Sequence, residues 1–200
     1  MSRYIFLFDL DATITRQEIL PIIAKKIGKY DEIKSITENT MKGELPFKQS
    51  FLKRVKILSE LSVPEIQEMV EQIPLNDSLV QFITDNKDRC YMATGNLNVW
   101  IEPIVRKLGL QNNVFCSKAV VSSGYVEDVF SVVDKASVVQ QMVLPFVAVG
   151  DGNNDAAMIE AADIGIGYGG VRDIAPSVLE CATHAFYDEE KLVDFLNRLL

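Results

Sequence analysis

Five apolar residues, Tyr4-Ile5-Phe6-Leu7-Phe8, run without interruption into Asp9-Leu10-Asp11. A short apolar run with no polar alternation reads as a strand buried on both faces, the kind found in parallel sheets covered by helices on either side. Ending such a strand on two carboxylates is costly, because both lose water and each repels the other unless a cation or a shared proton intervenes. This junction asks both for a layered α/β fold and for a reason to bury charge.

The same pattern returns at Cys90-Tyr91-Met92-Ala93, followed by Thr94-Gly95-Asn96, and at Phe146-Val147-Ala148-Val149, followed by Gly150-Asp151-Gly152-Asn153-Asn154-Asp155. Helical patterns follow at Val99–Leu108 and Ala156–Ala162, a further strand is predicted at Ala162–Ile166, and Glu189–Leu200 reads as a closing amphipathic helix that turns Leu192, Val193, Phe195, Leu196 and Leu199 inward. Between the first two strands the periodicity becomes helical over residues 16–75, broken at Gly28, Gly43-Glu44-Leu45-Pro46 and Ser62-Val63-Pro64. A direct βα crossover needs far fewer residues, so this stretch is expected to form a separate small bundle above the carboxyl ends of the strands. Phe115–Phe130 alternates around Ser122-Ser123-Gly124 and reads as a β-hairpin at the edge. The expected fold is α/β: a Rossmann-like doubly wound parallel sheet, residues 1–15 with 76–200, carrying an inserted helical cap domain, residues 16–75, and a hairpin flap.

Composition narrows the function. With 48% apolar and 24% charged residues among 200, the chain can bury a full core. Twenty basic against twenty-eight acidic side chains, with no Lys/Arg-rich run, argue against nucleic acid and anionic membranes as partners. The early apolar run is far short of the roughly 20 residues of a membrane span, so a soluble, cytoplasmic protein is expected. Cys90, Cys116 and Cys181 are too few and too widely spaced for a disulfide framework or a CxxC metal site, and buried free thiols are expected.

Ligands of an open parallel sheet gather where strands end in loops, so the polar residues at three strand ends should converge. Asp9, Asp11 and the Asp151–Asp155 loop offer hard oxygen donors suited to Mg²⁺. Lys135, at a helix start, with Thr94 and the Gly95 amide, supplies the positive charge and donors that suggest phosphate. A net charge of −8 repels such a ligand only weakly, being screened beyond about 8 Å at physiological salt, while local cations act inside the cleft.

In the order Asp9-Leu10-Asp11-Ala12-Thr13, Thr94, Lys135 and Gly150 to Asp155, these residues resemble the four motifs of the haloacid dehalogenase-like phosphohydrolases. The resemblance is to the phosphoserine phosphatase branch, because it extends through Glu18, Met41-Lys42-Gly43, Phe47-Lys48-Gln49-Ser50 and Lys53-Arg54-Val55. It implies that Asp9 attacks phosphorus to form an aspartyl-phosphate, while Asp11 protonates the leaving alkoxide and later takes a proton from water. It implies Mg²⁺ on the Asp9 carboxylate, the Asp11 carbonyl and the Asp151 carboxylate, with Asp155 behind them orienting water or Lys135. Thr94, Gly95, Lys135 and Asn154 are then the phosphate grip, Glu18 receives a substrate ammonium, Arg54 receives its carboxylate, and Met41 and Phe47 line the pocket. The expected substrate is a small phosphorylated metabolite, phosphoserine first, with another phosphomonoester or a phosphoprotein as alternatives; transfer to an acceptor other than water uses the same residues.

Other readings fit less well. Asp151 to Asp155 is not a calcium loop, since Ala156 and Ala162 stand where a glycine and a glutamate are required. Gly165-x-Gly167-x-x-Gly170 matches a dinucleotide fingerprint, yet about 30 residues follow it and Pro176 breaks them, leaving no room for a second nucleotide-binding half. A non-catalytic phospho-ligand module would be expected to lack the nucleophile or the lysine, and both are present. His184 and Trp100 lie outside the motifs and read as structural. The chain departs from the family pattern at Asn96, after Thr94-Gly95, and at Gly165 to Gly170, where an Ala-Lys-Pro-like segment is usual.

Overall fold

The computed structural model describes residues 4–41, 44–142 and 145–200. Among them, strand β1 (Ile5–Phe8) is the centre of a seven-stranded sheet with β2 (Cys90–Leu97), β3 (Val114–Ser122), β4 (Tyr125–Ser131), β5 (Phe146–Gly150), β6 (Ile164–Tyr168) and β7 (His184–Phe186). The order is β4-β3-β2-β1-β5-β6-β7, and every neighbouring pair is parallel except β3 with β4. Phe8 stands opposite both Met92 and Val149, so the carboxyl ends of β1, β2 and β5 finish side by side.

Alternation along β1 divides the core. Phe6 and Phe8 join the larger apolar cluster, under α5 (Asp77–Asp85), α6 (Asn98–Leu108) and α10 (Glu189–Asn197), with the Phe82 ring edge-on to Phe6 at 5.1 Å. Ile5 and Leu7 face the smaller cluster, under α7 (Lys135–Val139), α8 (Ala156–Ala161) and α9 (Pro176–Cys181). This is the doubly wound layering expected of unbroken apolar strands.

Four helices intervene between β1 and α5: α1 (Ile19–Lys26), α2 (Tyr30–Met41), α3 (Phe47–Leu58) and α4 (Val63–Glu71). Thr15 and Leu75 form an antiparallel bridge where the chain leaves the sheet and returns, reinforced by Arg16 N–H to Pro74 O (2.8 Å) and Asn76 N–H to Ile14 O (2.9 Å). A capping box between Ser62 and Glu65 starts α4, and Gln67 Nε2 donates to Val99 O at 2.7 Å on α6. The apolar residues of these helices, among them Ile23, Phe51, Leu58 and Val70, belong to the same cluster as Phe6 and Trp100. The bundle's helices pack on one another, and their apolar residues run on into those of the sheet, with α4 lying against α6.

Several elements differ from the sequence expectation. Strand β2 runs on past Ala93 to Leu97, with a register shift against β3 between Thr94 and Leu97. The hairpin lies at the edge as expected, and β3 joins it to the sheet through β2. The short edge strand β7 and helix α9 escape periodicity because each spans little more than one turn or three residues. In α10 only Leu192 and Leu196 are buried, while Val193 and Phe195, and Leu199 just past its end, are partly buried against the larger cluster. Trp100 is fully buried on α6, and His184 is exposed beside Phe195. All three cysteines are free, but only Cys90 is buried. No helix among the described residues is long and apolar enough to cross a membrane.

Gly165 and Gly167 lie within β6 rather than in a loop after it. A Cβ on Gly165 would stand 2.3 Å from the Ile159 carbonyl oxygen, so this glycine lets α8 press against the sheet. Gly165→Ala is expected to cost about 1–3 kcal/mol through overpacking, measured as a lower urea midpoint with an unchanged slope.

Candidate active site

The three strand ends deliver their polar residues to one place. Asp9 follows β1 and is buried, its N–H donating to Val149 O at 2.9 Å, so the adjacent strand fixes its backbone. Lys135, the first residue of α7, is also buried and forms ion pairs with both Asp9 and Asp155. Asp134 caps that helix by accepting from Ala136 N–H, which sets the direction in which Lys135 leaves it. Asp155 Oδ2 accepts from the amides of Asp151 and Gly152, each at 2.9 Å. Asp155 thus folds its own loop and holds the lysine, and Asp151 receives Thr13 Oγ1 at 3.3 Å and the Arg172 guanidinium.

Asp11 lies two residues beyond Asp9, half-buried; its Oδ1 accepts from Ile19 N–H at 2.8 Å, at the start of α1, and its Oδ2 from the Asn96 amide. Ala12 between the strand and the bundle adopts a left-handed conformation at φ 58°, which turns the chain sharply after Asp11. Thr94 is buried, and its hydroxyl accepts from Asn96 N–H and Nδ2, both at 3.2 Å. Because of the register shift in β2, Gly95 and Asn96 line the cleft, and Ser117 Oγ donates to Gly95 O at 2.7 Å in place of a ladder bond.

The cleft has a volume of about 380 Å³; Asp9, Asp11, Gly95, Asn154 and Arg172 line its floor, and Glu18, Phe47, Phe51 and Arg54 its bundle side. Phe47 stacks on Phe51, their centroids 6.0 Å apart, and reaches across so closely that a Cβ on Gly95 would meet its Cζ at 2.6 Å. Met41 closes α2, and its side chain, like the adjoining Lys42 and Gly43, lies outside the described residues. Arg54 Nε donates to Ser50 O and Nη1 to Thr37 Oγ1, each at 3.4 Å, and the Asp11 and Glu18 carboxylates lie close enough to act on its charge. Glu18 is paired with Arg172. Arg172 is the residue that sequence reading missed: it follows the glycine-rich loop after β6, which the Ala175 N–H bond to Asp151 O, 2.8 Å, helps hold over the site.

Burial raises Asp9 well above the ordinary carboxylate range, with Asp155 next to it adding to the effect. Burial likewise raises Asp11, and pushes Asp151 to about 7 despite Arg172. Burial alone would lower Lys135, but Asp155 and Asp9 more than offset it and keep the ammonium charged. One ammonium cannot neutralise two carboxylates, so the cluster carries excess negative charge. Oxygens of Asp9, Asp151 and Asp155 lie within 4.8 Å of one another, all buried. Hard oxygen donors with unbalanced charge fit Mg²⁺.

Residues 6–160 match the family model of the haloacid dehalogenase-like hydrolases. A phosphoserine phosphatase of Methanocaldococcus jannaschii is 30% identical over 182 residues, covering 84% of this chain and 86% of that protein. One from Archaeoglobus fulgidus is 28% identical over 207 residues, covering 96% of this chain, which spans only 58% of that relative's length. A solved structure described as a phospho-aspartyl intermediate analogue of phosphoserine phosphatase superposes with a TM-score of 0.81 at 26% identity, over 98% of this chain and 99% of the other.

The raised carboxyls of Asp9, Asp11 and Asp151 hold protons in the folded state that the unfolded chain has already released. Their contribution to stability is present at low pH and lost as pH rises through their folded values. In chelator, stability to urea is expected to fall as pH rises from about 5 to about 8, and Mg²⁺ is expected to flatten that slope; a chelator profile that rises over this range would contradict the charge assignment.

Proposed function

The chain belongs to the haloacid dehalogenase-like hydrolases, and we propose that it is a Mg²⁺-dependent phosphomonoesterase that works through an aspartyl-phosphate on Asp9, with phosphoserine as its first candidate substrate. The observation that carries this reading is Lys135 held between Asp9 and Asp155 at the point where three parallel strands end.

Asp9 is held by the adjacent strand with one oxygen on Lys135, which leaves its other oxygen for in-line attack on phosphorus. Burial raises the Asp11 carboxyl, which favours its donating a proton to the leaving alkoxide and then taking one from the water that cleaves the acyl phosphate. The Ile19 amide and Asn96 fix its orientation for both steps. Asp9 and Asp151 with the Asp11 carbonyl would hold Mg²⁺, Asp155 bracing them, and when bound the ion supplies charge that offsets the phosphate's own. Lys135, the Gly95 amide, Asn154 and Thr94, whose hydroxyl also positions Asn96, serve the equatorial oxygens, where positioning and electrostatics do most of the work.

The helices of residues 16–75 form the cap of this reading; the Thr15–Leu75 bridge supports its two boundaries. Phe47 covers the phosphate subsite, and Arg54 offers a planar fork for a substrate carboxylate. The free thiols suit a reducing compartment, and we assign the reaction to the cytoplasm on that ground.

Phosphate release with and without Mg²⁺, from phosphoserine and a panel of small phosphomonoesters, tests the reading. Asp9→Asn is expected to reduce release to the blank with an unchanged circular dichroism spectrum; wild-type turnover by this variant would overturn the mechanism. Arg54→Ala is expected to raise KM for phosphoserine by about tenfold or more while leaving an aryl phosphate nearly unaffected, and equal effects on both would remove Arg54 from carboxylate recognition.

A further inference from the structure

Glycine is required wherever a backbone takes a positive φ, and Gly95 is not such a place. Among the described residues the glycines of that kind are Gly28, Gly109 and Gly124, whereas Gly95 lies in β2 with its carbonyl held by Ser117 Oγ at 2.7 Å. What a side chain at 95 would meet is the bundle. The three heavy atoms nearest to a Cβ there all belong to the Phe47 ring, Cζ at 2.6 Å, Cε1 at 3.4 Å and Cε2 at 3.5 Å. The ring also has a neighbour behind it. Phe47 opens α3 straight after Pro46, and the buried Phe51, one turn on, stacks on it with the planes 9° apart. Phe51 in turn belongs to the larger apolar cluster. The ring tip is thus held over the bare Cα of Gly95, joining the first turn of α3 to the strand end that carries Thr94.

We propose that Gly95 and Phe47 are a matched pair that sets how closely the inserted helices seat on the phosphate end of the cleft: residue 95 is a glycine in order to admit the ring, and Phe47 is a positioning residue that fixes the height of the roof. This rests on the phosphomonoesterase reading. A Cβ at 95 meets the tip of a ring and not the backbone of a neighbouring strand, so it leaves the packing of the sheet as it is. With Phe51 stacked behind it, the ring yields by carrying the first turn of α3 away from the strand end. A roof raised in this way admits water to the phosphate subsite, which weakens the contacts that Lys135 and the Gly95 amide make to phosphate there. The cost of the side chain therefore falls on turnover and not on the stability of the fold.

The test is a double-mutant cycle on Mg²⁺-dependent phosphate release from the small ester that the native protein turns over fastest, with the urea midpoint of each variant measured alongside. Gly95→Ala is expected to lower kcat by about tenfold or more at a native urea midpoint. Phe47→Leu, whose shorter side chain stops short of residue 95, is expected to cost about threefold by itself, and adding Gly95→Ala in that background to cost less than about twofold further. Were Phe47→Leu too slow to measure, Phe47→Met carries the cycle, since its flexible chain can bend away from a Cβ. Equal costs of Gly95→Ala in the two backgrounds place the effect in the phosphate grip alone and overturn the pairing, as does native turnover by Gly95→Ala. A Gly95→Ala chain that fails to fold overturns it too, because the ring is then not what the side chain meets first. Absence of Mg²⁺-dependent release from every ester by the native protein is a different result: it overturns the phosphatase reading, and this proposal with it.

Discussion

Lys135 sits among carboxylates that could not share a dry cleft without it. Asp9 and Asp155 come from strand ends that meet only because β1 and β5 are adjacent and in register, and the ammonium contacts both. A buried ion pair of this kind is weak evidence for stability, since desolvation offsets much of the attraction. Its effect is geometric. It fixes one Asp9 oxygen, ties the Asp151–Asp155 loop to the first strand, and requires α7 to begin at the cleft. Everything else at the site is arranged around that shared charge.

The surroundings bring in donors by different physical routes. Asp155 uses amides of its own loop, Asp11 uses the amide at the start of α1 and a side chain on β2, and Arg172 comes from a loop that no strand directs. The first two are local or set by sheet register, and they make the acidic cluster rigid. The third spans the sheet and the inserted helices, because Arg172 touches Asp151 on one side and Glu18 on the other. A cation in that position joins the acidic cluster at the strand ends to the bundle side of the cleft.

What could be read from the sequence follows the same division. Buried strands announce themselves as unbroken apolar runs, and the acidic residues that stop them mark the cleft, so Asp9, Asp11 and the Asp151–Asp155 loop were legible with the layered fold, while Lys135 stood out only through its place in the order of the motifs. The bundle was legible as a change of period, although its sharing of one apolar cluster with the sheet was not, because periodicity tells which face is buried and not what buries it. Asn96 stood out as an amide following Thr94-Gly95, but its bond to Asp11 depends on a register shift that no local pattern encodes. Arg172 carried no signal: a single arginine after a run of glycines is an ordinary surface residue until a carbonyl on the far side of the loop is found to hold it in place.

The bridge between Thr15 and Leu75 puts the exit and re-entry of the inserted helices a single strand spacing apart. A segment closed at its base in this way adds little to the loop-closure entropy of the parent sheet, which grows only slowly with the length enclosed. Residues between the two ends can therefore be lengthened, shortened or exchanged while the register of β1 with β2 and β5 stays as it is. The sheet and its acidic cluster are thus the geometrically fixed part of the molecule, and the segment above Thr15 and Leu75 is the part whose length the sheet's register does not constrain.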